Sequence, residues 1–315
     1  VNGVGYTMYN NASISVVGNS AKFDNRGTLN NGGDLFVNGE LNNYTYLSNN
    51  YDGTLDNYGF LDNFVTLTNN VGGTLNNFGT LNNNLGGTLN NFGTLNNNLG
   101  GTLNNNVGGT INLYEYTLIN DGVLNNSGSL NITSQTFPYL SQGGGRLINN
   151  GILNNSGTLN SSTFTERYAA SFENYGTLNN SGTLNNSGAI YLGSEAEGAF
   201  YFHEGLGLSN RGTINNSGVL NNVGTLFNSN GFYYSYETDI QIYNDSEGTI
   251  NNYGALYNYS VVNNRGTLNN TGVFRDLGVV INSGILSNSG SYDASWSEFN
   301  PYVQWQGQVV ESTIL

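Results

Sequence analysis

Cysteine is absent from the 315 residues, which excludes disulfides and thiolate metal sites and leaves the redox compartment unwritten. Proline occurs twice, histidine once, and charged residues make up only 9%. Lys22 is the single lysine, and the net charge is −14. No basic patch can form, so nucleic acid and anionic membrane are excluded as partners. No apolar run approaches the roughly 18–20 residues of a membrane-spanning helix, so no membrane insertion is expected. Also missing are HExxH, a phosphate-cradling Gly-Lys-Ser and a nucleophile elbow.

What is present is 45 glycines, about sixty asparagines and 37% apolar residues. Bias of this kind can signal disorder, but here the apolar residues fall in register. From Gly73 to Gly109 the chain reads GTLNNF-GTLNNNLG-GTLNNF-GTLNNNLG-GTLNNNVG-G, and residues 73–86 recur unchanged as 87–100. Without the two-residue extensions the unit is a hexad, Gly-Thr-Leu-Asn-Asn-x. Leu75, Leu81, Leu89, Leu95, Leu103 and Ile111 stand six or eight apart between polar neighbours. That spacing suits a three-residue strand with one side chain inward. A helix would need apolar positions three and four apart and would not tolerate so much glycine. The reading is an all-β, single-stranded β-solenoid of hexad repeats.

The hexads begin near Gly27 and end near Gly290, which divides the chain into an N-terminal cap or pairing strand (1–24), a solenoid (25–292) and a C-terminal cap or pairing strand (293–315). After Ile111, two or three hexads alternate with insertions near 132–145, 161–172, 193–208 and 228–240. This rhythm predicts three strands per turn, a right-handed coil, and loops bulging from one corner. A flattened two-strand coil of 14 residues is the alternative that the duplication favours. Ten to twelve coils at ~4.8 Å each would make a rod on the order of 50–60 Å long.

Hexad position 3 is apolar and should fill the interior. Position 1 is nearly always glycine, read as supplying positive φ at a sharp corner. Position 4 varies between repeats and should face solvent, whereas position 5 stays asparagine. Such an asparagine should sit at the corner, tolerate left-handed geometry and stack into a hydrogen-bonded ladder. The ladder residues are Asn77, Asn83, Asn91, Asn97, Asn105, Asn155, Asn180, Asn186, Asn216, Asn222, Asn264 and Asn270.

The runs GTLNNSGTLNNSG and GTINNSGVLNNVG resemble the β-helix repeats of filamentous-haemagglutinin-type secreted adhesins and the Asn/Gly-rich repeats of archaeal and bacterial cell-surface proteins. As a small, acidic, cysteine-free repeat protein the chain is also similar to the sheath proteins of filamentous methanogens. The resemblance covers most of residues 25–292 and implies a β-helix at a cell surface. Those adhesins are longer, and their N-terminal secretion domain has no counterpart here.

Candidate chemistry is sparse. His203 lies near Glu195, Glu197 and Glu204, but an exposed loop with ordinary charges explains it as well. Asp56 and Asp62 stand one hexad apart, and Glu237 and Asp239 share an insertion. Scattered carboxylates do not make the clustered site of a polysaccharide lyase or hydrolase. No enzyme activity, cofactor or metal is expected. Outward aromatics such as Tyr58, Phe64, Phe78, Phe92 and Tyr253, and above all Phe232, Tyr233, Tyr234 and Tyr236, can stack on sugars or on a neighbouring subunit. Asn-x-Ser/Thr sequons at Asn11, Asn43, Asn131 and Asn160 are candidates for glycosylation.

A solenoid has open β-edges at its ends, and this chain has neither lysine beyond Lys22 nor proline at either end of the repeat to block pairing. The expected function is a structural cell-surface protein whose partner is itself, polymerising by end stacking or by strand addition through residues 1–20 and 301–315. The alternative is a glycan- or host-binding adhesin that uses the aromatic insertions. Val1 in place of methionine suggests that an export signal has been removed.

Overall fold

The computed structural model describes residues 1–18, 20–114, 116–133, 144–162, 171–187, 207–228, 241–276, 278–293 and 309–310. These residues form a β-solenoid of 39 short strands with no helix. Strands β1 (Thr7–Asn10), β2 (Ser13–Val16) and β3 (Lys22–Asn25) start three parallel sheets, and every third strand joins the same sheet. The first, second and third faces hold 14, 13 and 12 strands, so the chain makes twelve full three-strand turns. No helix among the described residues is long and apolar enough to cross a membrane.

Register excludes the two-strand coil. Leu75 pairs with Leu95, twenty residues on, and not with its duplicate Leu89. Leu89 belongs to another face, beside Leu67. The duplicated segments therefore lie on different faces, and nothing in the hexad itself names its face. A turn without an extension takes 18 residues, as from Leu29 to Leu47, and one or two extensions of two residues lengthen it to 20, as from Leu75 to Leu95, or 22, as from Leu67 to Leu89.

Most strands are four residues long with two inward side chains, not three with one. In Thr74–Asn77 the burial alternates, with Leu75 and Asn77 inside and Thr74 and Asn76 half-buried outside. The period of two forces this, since position 5 shares the pleat direction of position 3. Position-3 residues from Leu29 to Leu286 make one continuous core. The asparagines thus lie inside the strand and not at a left-handed corner, and Asp52 is the only described non-glycine with positive φ.

Position-1 glycines also lack positive φ. That geometry falls on the extra residue of the extensions, at Gly72, Gly86, Gly100 and Gly108. Position 1 needs glycine because successive turns touch there: a Cβ on Gly79 would overlap the Gly59 carbonyl oxygen, which accepts the Thr80 amide at 2.8 Å.

Residues expected as an N-terminal cap supply the first turn, with β1, β2 and β3 each paired to the strand one turn on. The edge of β3 is met by an isolated bridge from Asn2 to Asn25. At the other end, β39 (Val309–Val310) pairs with β37 (Ile285–Asn288). Three of the four insertions leave at the corner from the first face to the second. The fourth, between β29 (Thr225–Asn228) and β30 (Gln241–Asn244), leaves from the second face to the third, so the insertions do not share one corner.

Candidate functional site

The inward asparagines form one column per face. On the third face Asn2, Asn25, Asn43 and Asn63 lead through Asn83 and Asn105 to Asn126, each Nδ2 donating to the Oδ1 of the next at 2.7–2.9 Å. The column continues through Asn155, Asn180, Asn216, Asn244 and Asn264 to Asn282 without a break. Asn77 and Asn97 stand in the second-face column, and Asn91, Asn186, Asn222 and Asn270 in the first. All twelve asparagines expected in the ladder are therefore inside it.

Each amide has a second proton, and it secures the corner. Asn77 Nδ2 also donates to the Thr102 carbonyl, which begins the next strand one turn on, and Asn49 does the same to Thr74. The donors point forward along the chain, so a column must begin with an acceptor that nothing feeds. Asn57, which follows Val37, and Asn186, which follows Ser161, have an Oδ1 with no partner for this reason. A column can also end on a group that only accepts. Asp276 ends the second-face column, taking Asn258 Nδ2 at 2.8 Å, the Gly278 amide at 3.2 Å and the Tyr292 hydroxyl at 3.3 Å. Burial pushes the Asp276 carboxyl above its ordinary value, outweighing those bonds, and burial also raises the Tyr292 phenol.

On the first face the column is interrupted at Leu113, Ile132 and Ser161, where strands Thr110–Tyr114, Ser129–Thr133 and Thr158–Ser162 run to five residues. An asparagine at these positions would reach the carbonyl beginning the next strand a turn later. The three insertions at this corner, 134–143, 163–170 and 188–206, each lie one turn after one of these three residues. The fourth insertion is spanned by such a bond, from Asn210 to the Gln241 carbonyl at 3.2 Å.

Outward asparagines at position 4 form a second set of columns with the opposite polarity. Asn96 donates back to Asn76, and Asn76 back to Asp56 at 2.8 Å. Asn82 donates back to Asp62. Asp56 and Asp62 thus sit on different faces as the acceptor ends of backward columns, not as a carboxylate pair.

Outward aromatics stack along the axis. Tyr58 and Phe78 lie 4.6 Å apart at 7°, Tyr44 and Phe64 5.0 Å apart at 9°, and Phe92 and Tyr114 4.6 Å apart at 15°. These rings use their faces on one another and leave edges to solvent. On the second face Arg146 forms a bidentate pair with Glu173 at 2.8 and 2.9 Å, and Glu173 also accepts the Tyr175 hydroxyl. Near the first turn the Lys22 ammonium, 2.8 Å away, holds the Glu40 carboxyl below its ordinary value.

Of the sequon asparagines, Asn11 is exposed. Asn131 and Asn160 are outward members of one backward column. Asn43 is 1% exposed with its amide bonded to Asn63 and the Thr66 carbonyl, so it belongs to the inner ladder. Phe232, Tyr233, Tyr234, Tyr236, His203 and Glu237 lie outside the described residues. Among the described residues no three His, Cys, Asp or Glu side chains group as metal ligands. Hexad reading overlooked Asn10 and Asn25, which sit in TMYN and KFDN without the usual glycine; the tetrad x-apolar-x-Asn is the signal that finds them.

No protein-family model matches this chain, and no curated protein matches it. Among solved structures it is similar to one described as "Crystal structure of TibC-catalyzed hyper-glycosylated TibA55-350 fragment". That match covers 92% of this chain and 95% of the other, at 15% identity and a TM-score of 0.24. At that score the likeness carries no inference about function, and the chain's own geometry shows a β-solenoid held by asparagine columns.

Proposed function

We propose that this chain is a structural protein of a cell surface, exported and assembled end to end with copies of itself into a filament, sheath or lattice. The observation that carries this reading is the single polarity of the inner columns. Wherever asparagine fills a column, on all three faces, Nδ2 points forward and Oδ1 backward, so the forward end of a column in one copy fits the backward end of the same column in another. At the first turn β1 and β2 are paired on one side only among the described residues, and Met8 and Ile14 are partly exposed at the end of the core. Tyr6 and Tyr9 beside them are 71% and 69% exposed. Unblocked parallel edges of this kind recruit further strands.

Negative-stain electron microscopy tests the reading. Removing residues 1–20 is a poor disruption, because the next turn presents the same pattern. Ile14→Lys is better, since an inward charge at the open end blocks stacking while leaving the other turns intact. Rods several times the roughly 60 Å of one copy, lost in Ile14→Lys, are expected. Deleting residues 301–315 removes β39 from the edge of β37 and should lengthen the polymers. Short rods of one length from all three proteins would overturn end-to-end assembly.

A further inference from the structure

Along the corner from the third face to the first runs a recess of about 380 Å³. Its walls are outward Asn154, Asn179 and Asn215 on one side and Ser156, Ser181 and Ser217 on the other, and Tyr243 and Asp245 close it. Three small serines in successive turns open it; earlier turns fill the same column with Tyr44 and Phe64. We propose that this groove is a binding site for a neutral saccharide.

Four observations converge on that ligand chemistry. First, the backward column supplies an open acceptor. Asn179 donates to Asn154 at 2.8 Å and Asn215 to Asn179 at 2.9 Å, but Tyr243 stands where the next asparagine would be. Asn215 Oδ1 therefore receives no donor among the described residues. Second, the Ser181 and Ser217 hydroxyls are weakly held, reaching backbone carbonyls at 3.4–3.5 Å, whereas the Ser156 hydroxyl is 3.0 Å from that of Ser127. Third, Asp245 uses Oδ1 on the amide and hydroxyl of Ser246, and no hydrogen bond from the described residues holds Oδ2. Fourth, the Arg265 guanidinium lies over the Tyr243 ring at 5.3 Å, from the following turn. Tyr243 itself lines the recess.

Amides, hydroxyls and a carboxylate beside an aromatic ring match the hydroxyl-rich edge and C–H face of a pyranose. The volume falls within the ~300–1,000 Å³ of small-molecule sites. Other ligand classes fit less well. The strands here are paired on both sides, so a peptide cannot join by strand addition. A net charge of −14 and Asp245 at the groove disfavour phosphate, nucleic acid and acidic sugars. The site lies in mid-solenoid, away from the ends where copies would stack, so it stands independently of assembly.

The test is isothermal titration of the full chain with maltotriose, cellotriose, chitotriose and mannotriose. At least one should bind. Tyr243→Ala should weaken it about tenfold or more, by loss of the stacking face, and Tyr243→Phe should hold it within about threefold. Ser181→Trp should abolish binding by filling the groove. Both side chains face outward, and an unchanged circular dichroism spectrum confirms folding. If none of the four trisaccharides binds, or if binding survives both Tyr243→Ala and Ser181→Trp, the groove is not a saccharide site.

Discussion

The inner columns of the third and first faces are built from the same hexad yet behave differently. The third-face column runs unbroken from Asn2 to Asn282, and no insertion begins at its corner. The first-face column gives way to Leu113, Ile132 and Ser161, and three insertions emerge there, each one turn after a missing asparagine. Sheet pairing continues through the gap in full register, so the asparagine does not make the strand. Its work is at the corner, where one amide ties both the turn below and the start of the next strand. Position 5 can be apolar wherever the corner is to open.

If that is right, breaking the intact column should cost most. Asn126→Leu would leave Asn105 Nδ2 without its acceptor and Asn155 Oδ1 without its donor. Two buried groups left unsatisfied cost about 2–6 kcal/mol together, read as a lower midpoint in denaturant unfolding. Leucine should be tolerated far better at Ser161, where the column is already broken; equal losses at both sites would sink the distinction.

Gly122→Ala tests the corner from the second face to the third, where the glycine stack is kept. A Cβ there would overlap the Gly101 carbonyl oxygen, and a destabilisation of about 3 kcal/mol is expected. Thermal unfolding should show it. An unchanged midpoint would mean that the turns can move apart without cost.

Repair should have a smaller effect of the opposite sign. Ser161→Asn would give Asn186 Oδ1 a donor and remove the unsatisfied Ser161 hydroxyl, although its own Oδ1 would then have no donor above it. A gain of about 1 kcal/mol is expected. Reduced proteolysis within 188–206, the insertion one turn later, would tie the gain to the corner.

The subtlest contrast is at the end of the second-face column. Burial raises the Asp276 carboxyl above its ordinary value of 3.8, so its folded value exceeds its unfolded one. Its favourable contribution is then fully present below the unfolded value and is lost as pH rises through the folded value. Asp276→Asn lacks this titration. Relative to the variant, the natural chain should lose stability as pH is raised from acid toward neutral. A constant difference across that range would remove Asp276 from the account.

Much of this was legible in the chain. The six-residue spacing of Leu75 and Leu81, repeated in Leu89 and Leu95, specified strands and a stacked coil, because only a period-two segment places one leucine per hexad inside. The variable Asn76 and Ile148 read as outward, but the invariant Asn77 and Asn83 read as corner residues, whereas the pleat turns them inside. Glycine's role at position 1 was not legible, since positive φ and close approach select the same residue. The fate of Asn43 was hidden too, because NYT satisfies a sequon and a ladder alike.

By itself, then, the sequence determined the strand, the core and the ladder, because these follow from periodicity within one hexad. Only the tertiary structure decided which hexads share a face, which way the columns point and where Tyr243 meets Asn215. Those depend on how many strands make a turn, and the identical hexads of 73–86 and 87–100 carry no mark of their face. A hexad's face is fixed by counting strands from the first turn, and the extensions change only the number of residues between neighbours in a sheet.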